Sequence, residues 1–90
     1  MVDTASNSDV SYCGLSLGAL GRAIYRDWKK VNYAAAPYLA ALCQLSSVDD
    51  SYGYDSGDSI VRYFLSNASS WRGPVAKAIK AELKRRVGIK

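Results

Sequence analysis

Apolar side chains along this chain recur at the period of an α-helix in four separate runs. Leu17, Leu20, Ile24, Trp28 and Val31 come first, three or four residues apart, so they share one stripe. Arg22, Arg26, Lys29 and Lys30 fall off that stripe. Gly18 and Gly21 weaken the helix by up to about 1 kcal/mol each relative to Ala, and they are expected to leave room for a neighbouring helix. Asn32 and Pro37 punctuate the pattern. Proline suits the first turn of a helix and breaks an interior. The first helix is therefore expected to end near Asn32, and a second to begin between Tyr33 and Pro37 with Tyr38, Leu39, Leu42 and Leu45 as its apolar positions. A single helix kinked at Pro37 is the alternative.

Residues 49–58 break the periodicity. They hold four of the eight acidic residues, two glycines and no aliphatic side chain, and they read as a loop. Asp58 is placed to cap a third helix running from residue 59 to about 71, with Ile60, Val61, Phe64, Leu65, Ala68 and Trp71 on its apolar face. Gly73-Pro74 opens a fourth. In it Val75, Ile79, Leu83 and Val87 recur at every fourth residue beside Ala76, and Gly88 stands where a C-terminal cap belongs. No segment alternates in the manner of a strand. The expected fold class is all-α: one small bundle of about four short helices over residues 15–90, behind a polar leader at 1–14 expected to be mobile.

Composition adds limits. Ninety residues make one domain that buries roughly 60% of its unfolded surface, so its stability should be modest. The 49% hydrophobic and 22% charged shares are those of a globular chain. No apolar run approaches the roughly 20 residues that span a bilayer, so no membrane association is expected. The N-terminus lacks both the basic start and the apolar core of a secretory signal, which makes the cytoplasm the default location. Two cysteines, Cys13 and Cys43, are too few for a disulfide framework. Cys43 reads as a small apolar residue on a buried helix face, with a Cys13–Cys43 bridge as the alternative.

The chemistry available is narrow. Histidine is absent, which removes the neutral-pH proton shuttle and any Ser-His-Asp or Cys-His arrangement. Two cysteines cannot supply a zinc site, and neither glycine-rich phosphate motif occurs. Residues 49–58 fail as an EF-hand in both registers: from Asp49 the twelfth position is Ile60, and from Asp50 it is Val61, where calcium needs a glutamate. No catalytic residue, metal or cofactor is expected, and the chain reads as a non-enzyme.

Two charged features remain as candidate binding surfaces. Residues 71–90 carry Arg72, Lys77, Lys80, Lys84, Arg85, Arg86 and Lys90 against Glu82, a net +6. Lys77, Lys80 and Lys84 are expected to line up opposite the apolar stripe. The plain reading is a solvated helix face, with Arg85 and Arg86 suited to the negative helix end. The functional reading is contact with phosphates or an acidic protein surface. Base-specific reading is not expected, because Pro74, Val75 and Ala76 begin the helix. The acidic loop offers Asp49, Asp50, Tyr52, Tyr54 and Asp55. Tyrosine, serine and glycine together make adaptable recognition loops. The plain reading there is that both tyrosines fold back onto the bundle.

The runs 27–28 and 33–39, together with Asp55-Ser56-Gly57, residues 63–68, Trp71-Arg72-Gly73 and residues 80–84, resemble a pattern in small uncharacterised proteins of bacteriophages, prophages and their hosts. The resemblance implies a compact accessory protein acting in a bacterial cytoplasm and carries no assigned active residues. The expected function is a non-catalytic protein-interaction module that modulates a host or phage protein. A nucleic-acid-binding accessory protein using the basic last helix is one alternative, and a homo-oligomeric structural protein is another.

Overall fold

A computed structural model of the chain describes Tyr12 and residues 14–89. Apart from Tyr12 and Gly14 the expected mobile leader lies outside the described residues, as does the Cys13 end of the alternative disulfide. Four helices follow in order: α1 (Leu17–Asp27), α2 (Ala36–Leu42), α3 (Gly57–Ser66) and α4 (Pro74–Arg86). Between α2 and α3 stands a two-stranded antiparallel hairpin, β1 (Ser51–Tyr52) and β2 (Asp55–Ser56), with Ser51 opposite Ser56 and Tyr52 opposite Asp55. The fold is mostly helical, as the periodicity predicts, and the hairpin departs from the all-α expectation.

Helix boundaries move where side chains find partners outside the helix. Ser16 caps α1, its Oγ accepting the Ala19 amide at 3.1 Å. The helix stops at Asp27 instead of near Asn32, because Trp28 leaves helical geometry at φ −97°, ψ 92° and lays its indole on Trp71. Asn32 acts later, as a cap ahead of α2: its Oδ1 accepts the Ala35 amide at 2.7 Å. Residues 28–35 thus separate two helices, with Pro37 in the first turn of α2, and the kinked-helix alternative fails. Ser56 caps α3 by accepting the Ser59 amide at 3.1 Å. Asp58, the expected cap, sits inside the first turn and pairs with Arg62 at 2.6 Å. The helix ends at Ser66, well before Trp71, with Asn67 Nδ2 donating to the Tyr63 carbonyl. The last helix closes as expected at Gly88. There φ is +78°, the Gly88 amide reaches the Arg85 carbonyl and the Ile89 amide reaches that of Lys84, a Schellman closure.

Successive helices reverse direction. Leu17 and Gly18 at the start of α1 donate to the carbonyls of Ser46 and Leu45 just past α2. Asn32 ahead of α2 donates to the Asn67 carbonyl after α3. Arg62 of α3 reaches the Val87 carbonyl at the far end of α4, and α4 returns along α1. The first orphan amides of α1 are thereby satisfied by backbone. Glycine leaves room for that close approach: a Cβ on Gly18 would lie 3.1 Å from the Cys43 carbonyl oxygen, and one on Gly21 would lie 2.8 Å from Cys43 Sγ. The core gathers the expected residues, including Leu17, Leu20, Ile24, Leu39, Leu42, Ile60, Phe64, Trp71, Ile79 and Leu83, each 2% exposed or less. No helix among the described residues is long and apolar enough to cross a membrane.

Candidate functional site

The hairpin is held at its base and open at its tip. Asp50 Oδ2 accepts the amides of Ser46 at 2.7 Å and Ser47 at 3.2 Å, which tightens the turn leading into β1. The Gly57 amide donates to the Asp50 carbonyl at 2.6 Å and the Asp58 amide to that of Val48. Gly57 is buried so closely here that a Cβ would stand 2.7 Å from the Ser47 carbonyl oxygen. The turn itself is Gly53-Tyr54, with Gly53 at φ +65°, the left-handed region that two-residue hairpin turns demand.

Of the acidic-loop residues singled out from sequence, Tyr52, Tyr54 and Asp55 share this hairpin and Asp49 is exposed beside it. Tyr52 is 47% exposed and Tyr54 fully so; neither belongs to the core. The plain expectation of tyrosines folded back onto the bundle is not what the chain adopts. Asp50 differs from its neighbours because its carboxylate is spent on backbone amides.

The basic residues divide into two groups. On a helix, positions three and four apart are neighbours. Lys80 therefore sits beside buried Ala76 and Leu83, on the shoulder of the apolar stripe and not opposite it. Its ammonium donates to the Trp71 carbonyl at 2.6 Å and stands 5.7 Å from the centre of the Trp71 ring. Burial pushes the Lys80 pKa below its ordinary value, and the nearby charges of Lys84 and Arg72 push it the same way. Arg72, Lys80 and Lys84 thus crowd one flank, and Lys77 is exposed one turn from Lys80 and two turns from Lys84. On the other side of the helix Glu82 accepts from Arg85 Nη2 at 2.5 Å and from Arg86 Nε at 2.6 Å. Arg86 also donates to the Tyr12 carbonyl. These contacts hold the Glu82 carboxyl below the usual carboxylate range, led by the Arg85 hydrogen bond and opposed by burial.

Sequence reading missed an open cleft of about 370 Å³ between α1 and the start of α4. It is lined by Tyr12, Leu15, Ala23, Arg26, Asp27 and Val75. The signal available was that Leu15 and Ala23 fall off the α1 stripe. Among the described residues no group of three histidine, cysteine or acidic side chains is placed to hold a metal ion. Cys43 is a free thiol packed at Gly21, and burial raises its pKa against a smaller opposing effect of Arg22. No protein-family model matches the chain, and neither a curated protein nor a solved structure does.

Proposed function

We propose that this chain is a non-catalytic protein-interaction module, an accessory protein that engages its partner through the hairpin. The observation that carries this is the full exposure of Tyr54 at a tip whose base is tied down. A large aromatic side chain held in water forgoes roughly 25 cal/mol for each Å² it could bury. A partner recovers that energy, and little ordering is left to be done because the strands are already paired. Asp49 and Asp55 beside the tyrosines suit a partner surface with basic or hydrogen-bond-donating groups.

The test is capture of partners from nuclease-treated bacterial lysate by the wild type, by Tyr52→Ala/Tyr54→Ala and by Lys80→Glu/Lys84→Glu. The hairpin variant should lose the captured protein and the lysine variant keep it, with circular dichroism showing both folded. Capture that survives the loss of both tyrosines removes this reading.

A second reading has its own support, namely the crowding of Arg72, Lys80 and Lys84 on one flank while Glu82 is committed to Arg85 and Arg86. Cations gathered in this way suit phosphates, and the reading is non-specific nucleic-acid binding. Affinity for DNA or RNA should then fall steeply between about 50 and 200 mM salt.

A further inference from the structure

The basic surface extends beyond α4. Trp28 and Trp71 stack, and Asn32 Nδ2 donates to the Asn67 carbonyl at 3.1 Å and to Ser70 Oγ at 3.2 Å. The loop at residues 28–35 is thereby pinned against the loop at 67–73. Lys29 and Lys30 on the first loop and Arg72 on the second are all exposed. Asp27, the nearest acidic residue in sequence, has its carboxylate on Trp71 Nε1 at 2.8 Å. Lys80, anchored to the Trp71 carbonyl, and Lys84 continue the positive surface along α4. Tyr33 stands on the first loop with 91% of its surface in water.

An exposed ring on a loop that also carries two exposed lysines matches one chemistry better than others. Single strands are held by charges that follow the backbone and by aromatic rings on which unpaired bases stack. A duplex keeps its bases stacked on one another, so it can use the charges and not the ring. We infer that the end of the bundle made by residues 28–35 and 67–73, continued along Lys80 and Lys84, binds single-stranded nucleic acid with Tyr33 as a stacking platform. This inference rests on the second reading above and makes it specific.

Polarisation of labelled probes decides the matter. The probes are a single-stranded oligonucleotide of about 12 nucleotides, the duplex of the same sequence, an abasic strand of equal length and poly-glutamate. The single strand should bind more tightly than the other three. Tyr33→Ala should weaken single-strand binding roughly 5- to 150-fold, the equivalent of one base stacked on a ring, and leave duplex binding unchanged. Arg72→Glu with Lys84→Glu should weaken both. Equal affinity for the single, double and abasic strands, or an unaffected Tyr33→Ala, overturns the stacking site and leaves the second reading standing. No binding to any strand at low salt, or equal binding of poly-glutamate, ends both.

Discussion

Trp28 and Trp71 lie nearly parallel, with ring centroids 5.7 Å apart and planes 10° from coincidence. Both are outside the helices, and Phe64 meets each of them edge-on. This trio joins the loop after α1 to the loop after α3, so Trp71→Ala should cost about 3–5 kcal/mol, the usual loss for a buried aromatic. Asp27→Asn, which weakens only the hydrogen bond from Trp71 Nε1, should cost about 1–2 kcal/mol. Urea titration followed by tryptophan emission measures both. Equal losses would mean that the carboxylate matters as much as the ring.

Gly21 and Gly57 should respond differently to alanine. At Gly21 the nearest obstacle is the Cys43 thiol, and at Gly57 it is backbone of Ser47 and Val48. A side-chain atom can be removed and backbone cannot. Gly21→Ala should cost about 1–3 kcal/mol, with part of that recovered in the Gly21→Ala/Cys43→Ala double variant. Gly57→Ala should cost more and find no such rescue. Additive losses at Gly21 and Cys43 would show that the close approach is not what the glycine provides.

Acid should weaken the join between α4 and the N-terminal segment. The Glu82 carboxyl has a folded pKa below its unfolded value, so its ionised form favours folding. That contribution is whole above the ordinary glutamate pKa of about 4.3 and is lost as pH falls through the lowered folded value. Glu82→Gln should therefore be less stable than wild type near neutral pH, by on the order of 1 kcal/mol, with the gap closing in acid. Denaturation midpoints at two pH values give the comparison, and a gap that does not depend on pH would refute it.

The Cys43 thiol should react more slowly with Ellman's reagent in the folded protein than a free thiol does, because partial burial raises its pKa and favours the unreactive protonated form. In a Cys13→Ser background, denaturant should accelerate the reaction, whereas equal rates with and without denaturant would contradict this placement.

Much of the fold was legible because a helical stripe records burial directly: Leu17, Leu20 and Ile24 in α1 and Ile79 and Leu83 in α4 lie where their spacing puts them. The same logic misleads at Trp28 and Trp71. A residue that turns inward from a loop at the right spacing imitates another helical turn, and only a tertiary partner distinguishes the two. Ser56 and Asp58 are both good caps, and the choice between them was made by backbone contacts from residues 48 and 50. The hairpin was hidden because each strand is two residues long with both side chains exposed, which leaves no alternation to detect. Of the candidate sites, the acidic tyrosine loop and the cations of the last helix were visible as composition. Which aspartate serves the backbone, and which arginines serve Glu82, depends on distances that composition does not contain.

The anchoring of Lys80 on Trp71 gives the molecule an optical gauge of its own. Indole emission shifts with the electric field across the ring, and here a cation hangs from the carbonyl of the same residue. Anything that draws that ammonium outward changes the colour of the tryptophan light. Events at the hairpin, at the opposite end of α3, should leave it as it was. A ligand of the basic flank and a ligand of the hairpin should thus be distinguishable in one cuvette, with no label attached.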